Sequence, residues 1–125
     1  MGYESRLYIV AKTDTKCTFN NALHYAEILA EINLCKTSMR FRDEIKKYGK
    51  DTDCGLFIDD EQTNEDKYGN IMQELSLEDA IKVIENCMSE PYRRWIPCVS
   101  MLNGFRLSEA QGEWGDCLRV LHYGY

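Results

Sequence analysis

Apolar residues near the two ends of the chain follow the patterns of β-strands. From Arg6 to Ala11 both odd and even positions are apolar, which predicts a strand buried on both faces inside a sheet. The segment from Cys117 to Tyr123 is rich in β-branched and aromatic residues and predicts another strand. Because an unpaired apolar edge promotes aggregation, we expect this late strand to pair with the first one.

Three segments carry the three-to-four-residue apolar spacing of amphipathic helices: residues 20–35, 77–88 and 92–105. Asn20 or Asn21 is a good N-cap for the first, and Ser76 caps the second. Pro97 is expected to kink the third helix or to split it at the residue before it. Gly104 is expected to end that helix.

Shorter apolar runs predict two more strands, Cys54–Ile58 and Ile71–Leu75. Residues 36–50 form a basic connector with a short helix at its end, and residues 59–66 form a polar, exposed loop. Helices and strands do not alternate regularly. This order predicts one α+β domain over residues 1–125, with two layers, in which an about four-stranded, mostly antiparallel sheet packs against about three helices.

The composition is that of a soluble globular protein, with 44% apolar and 29% charged residues. No stretch approaches the ~20 apolar residues of a membrane span, and the first residues lack the pattern of an export signal. We therefore expect an intracellular, cytoplasmic protein without membrane contact. In that compartment the six cysteines are expected to stay free thiols, which pack as small hydrophobic side chains.

Charge is distributed unevenly along the chain, whose net charge is −6. Residues 51–90 contain twelve acidic and two basic side chains, whereas residues 1–50 contain six acidic and nine basic ones. The acidity is therefore concentrated in the middle third. Such a segment predicts a surface that attracts basic partners and repels polyanions.

Four stretches of sequence carry a resemblance to a known group of proteins: residues 1–10, 25–31, 65–70 and 118–125. They are similar to segments of small proteins, mostly without an assigned activity, that phages and prophages of Gram-positive gut bacteria encode. The resemblance covers most of the chain and implies an origin in a mobile element, but it brings no functional residue with it. Such elements encode many acidic inhibitors of host defence, including anti-CRISPR proteins, so the resemblance implies a similar role by analogy.

The patterns of common catalytic and metal sites are missing from the sequence. There is no phosphate-binding glycine loop, and the cysteines lack the spacing of zinc knuckles. Cys117 and His122 would point to opposite faces of one strand, so they are not expected to act as a catalytic pair. One enzyme hypothesis remains open, in which Asp59 and Asp60 hold a magnesium ion at a strand end for phosphoryl or phosphodiester chemistry.

The favoured hypothesis is a binding protein that has no catalytic activity and no cofactor. Its acidic loop would face a basic groove on a host defence or nucleic-acid-handling protein, where complementary charge speeds association and selects the partner. The partner-binding residues of this hypothesis are Asp59, Asp60, Glu61, Glu65 and Asp66. The simpler alternative, that these charges only keep the domain soluble, also remains open.

A third hypothesis is the sequestration of a nucleotide signal in a pocket between two protomers, which a homodimer would provide. Arginines would meet the phosphates of the ligand, and the candidates are Arg40, Arg42, Arg93, Arg94 and Arg119. Direct binding of nucleic acid is not expected, because the acidic middle third would repel the polyanion. Its candidate residues are Arg40, Arg42, Lys46 and Lys47, or the run from Tyr92 to Trp95.

Overall fold

The computed structural model describes residues 4–16, 23–87, 89, 95–112 and 117–125. Three helices and seven strands are found in these residues. In chain order they are β1 (Glu4–Lys16), β2 (His24–Lys36), α1 (Met39–Tyr48), β3 (Lys50–Asp51), β4 (Cys54–Ile58), β5 (Glu61–Thr63), β6 (Gln73–Leu75), α2 (Leu77–Cys87), α3 (Trp95–Ala110) and β7 (Leu118–Gly124).

The strands form one curled, mixed sheet that resembles half a barrel, with the order β3-β6-β7-β1-β2-β4-β5. β1 lies in the interior of the sheet and pairs antiparallel with β2 on one side and with β7 on the other. The predicted pairing of the first strand with the last one is therefore confirmed, with Ala11 opposite Leu118. Among the described strands, the parallel pairing is the short one between β2 and β4.

The prediction of an about four-stranded, mostly antiparallel sheet is wrong, although the fold is α+β. Two of the additional strands, β3 and β5, are only two and three residues long and carry too few residues to show a period. The third is β2, which occupies the segment predicted as the first helix.

The β2 segment satisfies the helical and the strand period at the same time. Its alanine, glutamate and leucine residues have high helix propensity, which favours the helical interpretation. Every second residue is nevertheless also apolar, as in a strand: Ala26, Ile28, Ala30, Ile32 and Leu34. β1 offers a long antiparallel partner to this segment, and pairing with it overrides local propensity.

Helices α1 and α2 begin where a serine side chain can accept a hydrogen bond from the first turn. Ser38 Oγ accepts from the N–H of Phe41 at 3.2 Å, and Ser76 Oγ accepts from the N–H of Asp79 at 3.1 Å. The second cap was predicted. α1 fills most of the segment expected to be a connector, so that prediction placed too little helix there.

Helix α3 runs from Trp95 to Ala110 in the described part of the chain. Pro97 is its third residue, where a backbone N–H has no partner within the helix, so the proline does not interrupt it. The helix also continues through Gly104, where it was predicted to end. Residues 92–94 of the predicted helix lie outside the described residues. None of the described helices has the length and apolar character needed to cross a membrane.

β1 is buried on both faces of the sheet, as its apolar pattern predicted. One cluster, with Leu7 and Ile9 of β1, packs against the helices, which contribute Phe41 and Trp95. On the opposite face Tyr8 and Val10 of β1 pack with a second cluster that includes Leu56, Met72 and Leu121. Polar residues enter both layers, and these positions are the basis of the sites described next.

Candidate functional site

The hairpin of β4 and β5 carries three of the predicted acidic residues at its tip. Ile58 pairs with Glu61, so Asp59 and Asp60 are the two residues of the connecting turn. Their φ angles are 52° and 66°, which are values of a type I′ turn. Aspartate is one of the few residues besides glycine that tolerate this backbone conformation. The stretch predicted as an irregular loop therefore begins with a tight hairpin tip.

Four of the five predicted partner-binding residues are exposed to solvent: Asp59, Asp60, Glu61 and Glu65. None of the four forms an ion pair with another residue that the structure describes. We call these four residues the acidic surface. Asp66 has a different role, because its Oδ1 accepts hydrogen bonds from the backbone N–H groups of Tyr68 at 2.9 Å and Asn70 at 3.0 Å and so closes a turn.

The turn closed by Asp66 and the tip of the hairpin lie at the same end of the molecule. Burial is the largest cause of the raised pKa of Tyr123, and Tyr8 is the next. The negative charges of Asp59 and Asp66 both raise this pKa further, because both carboxylates lie near Tyr123. Two aromatic side chains at this end are exposed, Phe57 by 50% and Tyr68 by 55%. Exposed aromatic residues with a polar rim are typical of protein-binding surfaces.

A second acidic site lies in the interior, around Glu74 of β6. Its Oε1 accepts a hydrogen bond from the hydroxyl of Thr52 at 2.9 Å and lies 3.5 Å from Sγ of Cys54. Three cationic groups surround this buried carboxylate, at 3.8 Å for Lys12 Nζ, 3.7 Å for Lys50 Nζ and 3.6 Å for Arg119 Nε. Five strands contribute to the cluster, so the carboxylate joins β1, β3, β4, β6 and β7.

Asp53, Cys54 and Glu74 are the one group of possible metal ligands in the described residues, with ligand atoms within 4.8 Å of one another. The ammonium of Lys12 already bridges its two carboxylates, 2.6 Å from Asp53 and 3.8 Å from Glu74. Burial would raise the pKa of Asp53, but the hydrogen bond and charge of Lys12 lower it. Burial raises the pKa of the Cys54 thiol to about 11. A bridging ammonium and a protonated thiol do not fit a metal ion, which requires deprotonated ligands.

Asp59 and Asp60 do not belong to this group of ligands. Across the described ranges, no third histidine, cysteine or carboxylate joins them to make a set of metal ligands. Both are exposed turn residues. The magnesium hypothesis therefore gains no support from the structure.

The described members of the predicted phosphate-binding set, Arg40, Arg42 and Arg119, lie in different parts of the protomer. Arg40 is exposed on α1, and Arg42 lines a cavity beside the same helix. Arg119 lines a different cavity together with Glu74. Arg93 and Arg94 lie outside the described residues. A single pocket built from the whole predicted set is therefore not supported.

His122 is a buried polar residue that the sequence analysis considered only as a partner of Cys117. Its Nε2 lies 2.8 Å from Oγ of Ser5, which in turn lies 2.7 Å from Oγ1 of Thr37. Burial lowers the pKa of His122 to about 4, and the charge of Arg42 contributes to the shift. The ring is therefore neutral near pH 7. Because Ser5 is fully buried, it has no access to a substrate, and this pair joins β7 to β1.

Comparison with protein-family models, with curated proteins and with solved structures finds no match to the chain. Proposals about its function therefore start from the arrangement of its own side chains.

Proposed function

We propose that this chain is a non-enzymatic binding protein of phage origin that docks its acidic surface into a basic groove of a host protein. The resemblance to phage proteins favours a partner that acts in host defence or handles nucleic acid. Such a partner has a positively charged groove for its polyanionic substrate, and an acidic protein can occupy that groove in competition with the substrate.

The observation that carries the proposal is the β4–β5 hairpin with its type I′ turn. The turn holds Asp59 and Asp60 in one backbone conformation, so little conformational entropy is lost when a partner binds them. The carboxylates of the acidic surface have no cationic partner among the described residues, so they do not have to break an ion pair first. Phe57 on the same hairpin supplies an apolar contact beside the charges.

The simpler alternative is that the acidic surface only keeps the protein soluble. It predicts that any equal loss of negative charge has the same effect on binding, wherever it is made. The proposal predicts that position matters. The two ideas are therefore separated by a pair of variants with the same net charge.

The test variant replaces the acidic surface by amides: Asp59→Asn, Asp60→Asn, Glu61→Gln and Glu65→Gln. Asparagine also tolerates a positive φ, so the hairpin tip is kept. The matched control removes four exposed carboxylates from other places: Glu27→Gln, Asp43→Asn, Glu78→Gln and Glu85→Gln. Wild type, test variant and control are immobilised separately, and proteins retained from a lysate of Gram-positive bacteria are identified and purified.

We expect a protein that wild type and control retain and the test variant does not. With the purified partner, the test variant should lose about 10- to 100-fold in affinity, mostly in association rate, and the wild-type affinity should fall with salt. Wild type should also inhibit the binding of nucleic acid to that partner. Equal retention by all three baits, or by none, would contradict the proposal.

The sequestration of a nucleotide signal is the second candidate from the sequence. Among its described arginines, Arg42 lines a cavity beside α1 within one protomer.

A further inference from the structure

A cavity of about 390 Å³ lies between helix α1 and the segment from Asp66 to Gln73. Sites for small ligands typically have volumes of ~300–1,000 Å³. No residue of the acidic surface lines this cavity. Binding there is therefore independent of the proposed protein-binding function, and each of the two can fail without the other.

One wall of the cavity is cationic. Arg42 and Lys46 both line it and are four residues apart on α1, so their side chains project from the same face of the helix. Guanidinium and ammonium groups are the side chains that proteins use most for phosphate oxygens. The neutral ring of His122 lies at this wall as well, close enough to Arg42 for its pKa to be lowered.

The opposite wall offers hydrogen-bond acceptors and amides. Oδ1 of Asp51 accepts a hydrogen bond from Nε2 of Gln73 at 2.7 Å, and Oδ1 of Asp66 accepts from two backbone N–H groups. These bonds satisfy one oxygen of each carboxylate. The second oxygen of each carboxylate can still accept from an amino group.

Each wall also carries an isoleucine, Ile45 on α1 and Ile71 in the segment from Asp66 to Gln73. Ile71, which is 40% exposed, and Ile45 both line the cavity. A ligand that fits this arrangement has an anionic group at one end, a flat apolar body and hydrogen-bond donors at the other end. These are the properties of a nucleotide whose base carries an amino group.

We propose that this cavity binds a nucleoside monophosphate with an amino-bearing base. Its phosphate contacts Arg42 and Lys46, its base lies on Ile71, and its amino group donates to Asp51 or Asp66. The site is complete within one protomer. The hypothesis from the sequence instead placed the nucleotide in a pocket between two protomers, with five candidate arginines.

Isothermal titration calorimetry with AMP, GMP, CMP, UMP, adenosine and inorganic phosphate tests the proposal. We expect at least one of AMP, GMP and CMP to bind, and UMP, adenosine and phosphate to bind at least about 10-fold more weakly. UMP and phosphate lack the amino group that donates to a carboxylate, and adenosine lacks the phosphate that contacts Arg42 and Lys46. The loss of one charge-assisted contact corresponds to ~10- to 100-fold in affinity.

Two double variants of α1 provide the matched comparison. Arg42→Gln with Lys46→Gln should abolish binding, whereas Arg40→Gln with Lys47→Gln removes the same charge from the same helix without touching the cavity and should leave affinity unchanged. Lys46→Gln alone changes an exposed residue and should weaken binding about 10-fold with the fold intact. The proposal is overturned if no amino-bearing nucleotide binds, if UMP or phosphate binds as tightly, or if both double variants behave alike.

Discussion

Glu74 and the acidic surface belong to the same acidic third of the sequence, but their surroundings are opposite. Glu74 is buried and has three cationic groups within 3.8 Å of its carboxylate. The acidic surface is exposed and has no ion pair among the described residues. An acidic stretch of sequence can therefore contain two kinds of carboxylate. Some stabilise the packing of strands, and others are available to a binding partner. Substitutions at the two places should have different consequences.

The largest effect is expected at Glu74. Glu74→Ala removes the buried carboxylate from Arg119 and leaves Lys12 with Asp53 alone. Removing one partner of a buried ion pair typically costs ~3–5 kcal/mol of unfolding free energy. Urea unfolding measures it. Glu74→Gln keeps an acceptor for Thr52 and should cost less than the alanine variant. A loss below about 1 kcal/mol in Glu74→Ala would show that the carboxylate does not join the strands.

The second effect is a loss of stability in weak acid caused by His122. Its pKa is about 4 in the folded protein and 6.5 ordinarily, so below pH 6.5 the unfolded chain takes up a proton that the folded protein does not. Stability should therefore fall as the pH falls from 6.5 towards 4, by ~1.4 kcal/mol per pH unit and about 3 kcal/mol in all.

Urea unfolding at intervals of half a pH unit measures this slope. His122→Gln stays neutral at every pH and should remove most of it. The pKa of Asp53 is lowered below its ordinary value of 3.8. Its contribution to the unfolding free energy is therefore lost only below pH 4, outside the range in which His122 acts. An unchanged slope in His122→Gln would assign the acid sensitivity to other groups.

A smaller effect of opposite sign is expected at the hairpin tip. Asp60 has a φ of 66°, which glycine adopts without strain, so Asp60→Gly should raise the unfolding free energy by ~0.5 kcal/mol. Asp43→Gly, in the middle of α1, should lower it by ~0.3 kcal/mol, because glycine has a slightly lower helix propensity than aspartate. Thermal unfolding of both variants is the measurement. Destabilisation by Asp60→Gly would show that the aspartate side chain contributes to the turn.

The smallest effect is expected when the whole acidic surface is changed to amides. Exposed side chains without an ion pair contribute little to folding, so the stability should change by less than ~0.5 kcal/mol. Urea unfolding at low and high salt checks this expectation. A loss above about 1 kcal/mol would remove the contrast with Glu74, because these charges would then also stabilise the fold.

The elements that sequence could predict were those with one consistent local pattern. β1 and β7 are apolar on both faces, and α2 has a capping serine followed by a regular apolar stripe. β2 could not be assigned in this way, because its spacing fits both periods and only the neighbouring β1 decides between them. β3 and β5 exist only as partners of longer strands.

The exposed part of the candidate site could be predicted, and the interior part could not. Asp59 and Asp60 follow an apolar strand, which is a local signal for exposure. The cationic neighbours of Glu74 come from three other strands, so no spacing in the sequence predicts that they contact it. The sequence contained a partial signal for the burial of these interior residues. Glu74 lies inside a predicted strand, and His122 lies on the same strand face as the apolar residues Leu118 and Val120.

The position of β7 in the sheet has a consequence for the synthesis of the protein. β7 fills the space between β6 and β1, although it leaves the ribosome after every other strand that the structure describes. Until then β1 has a bare backbone edge and apolar side chains open to water. We expect the nascent chain to stay unfolded or bound to a chaperone during translation and to acquire its native structure only after residue 124 has emerged.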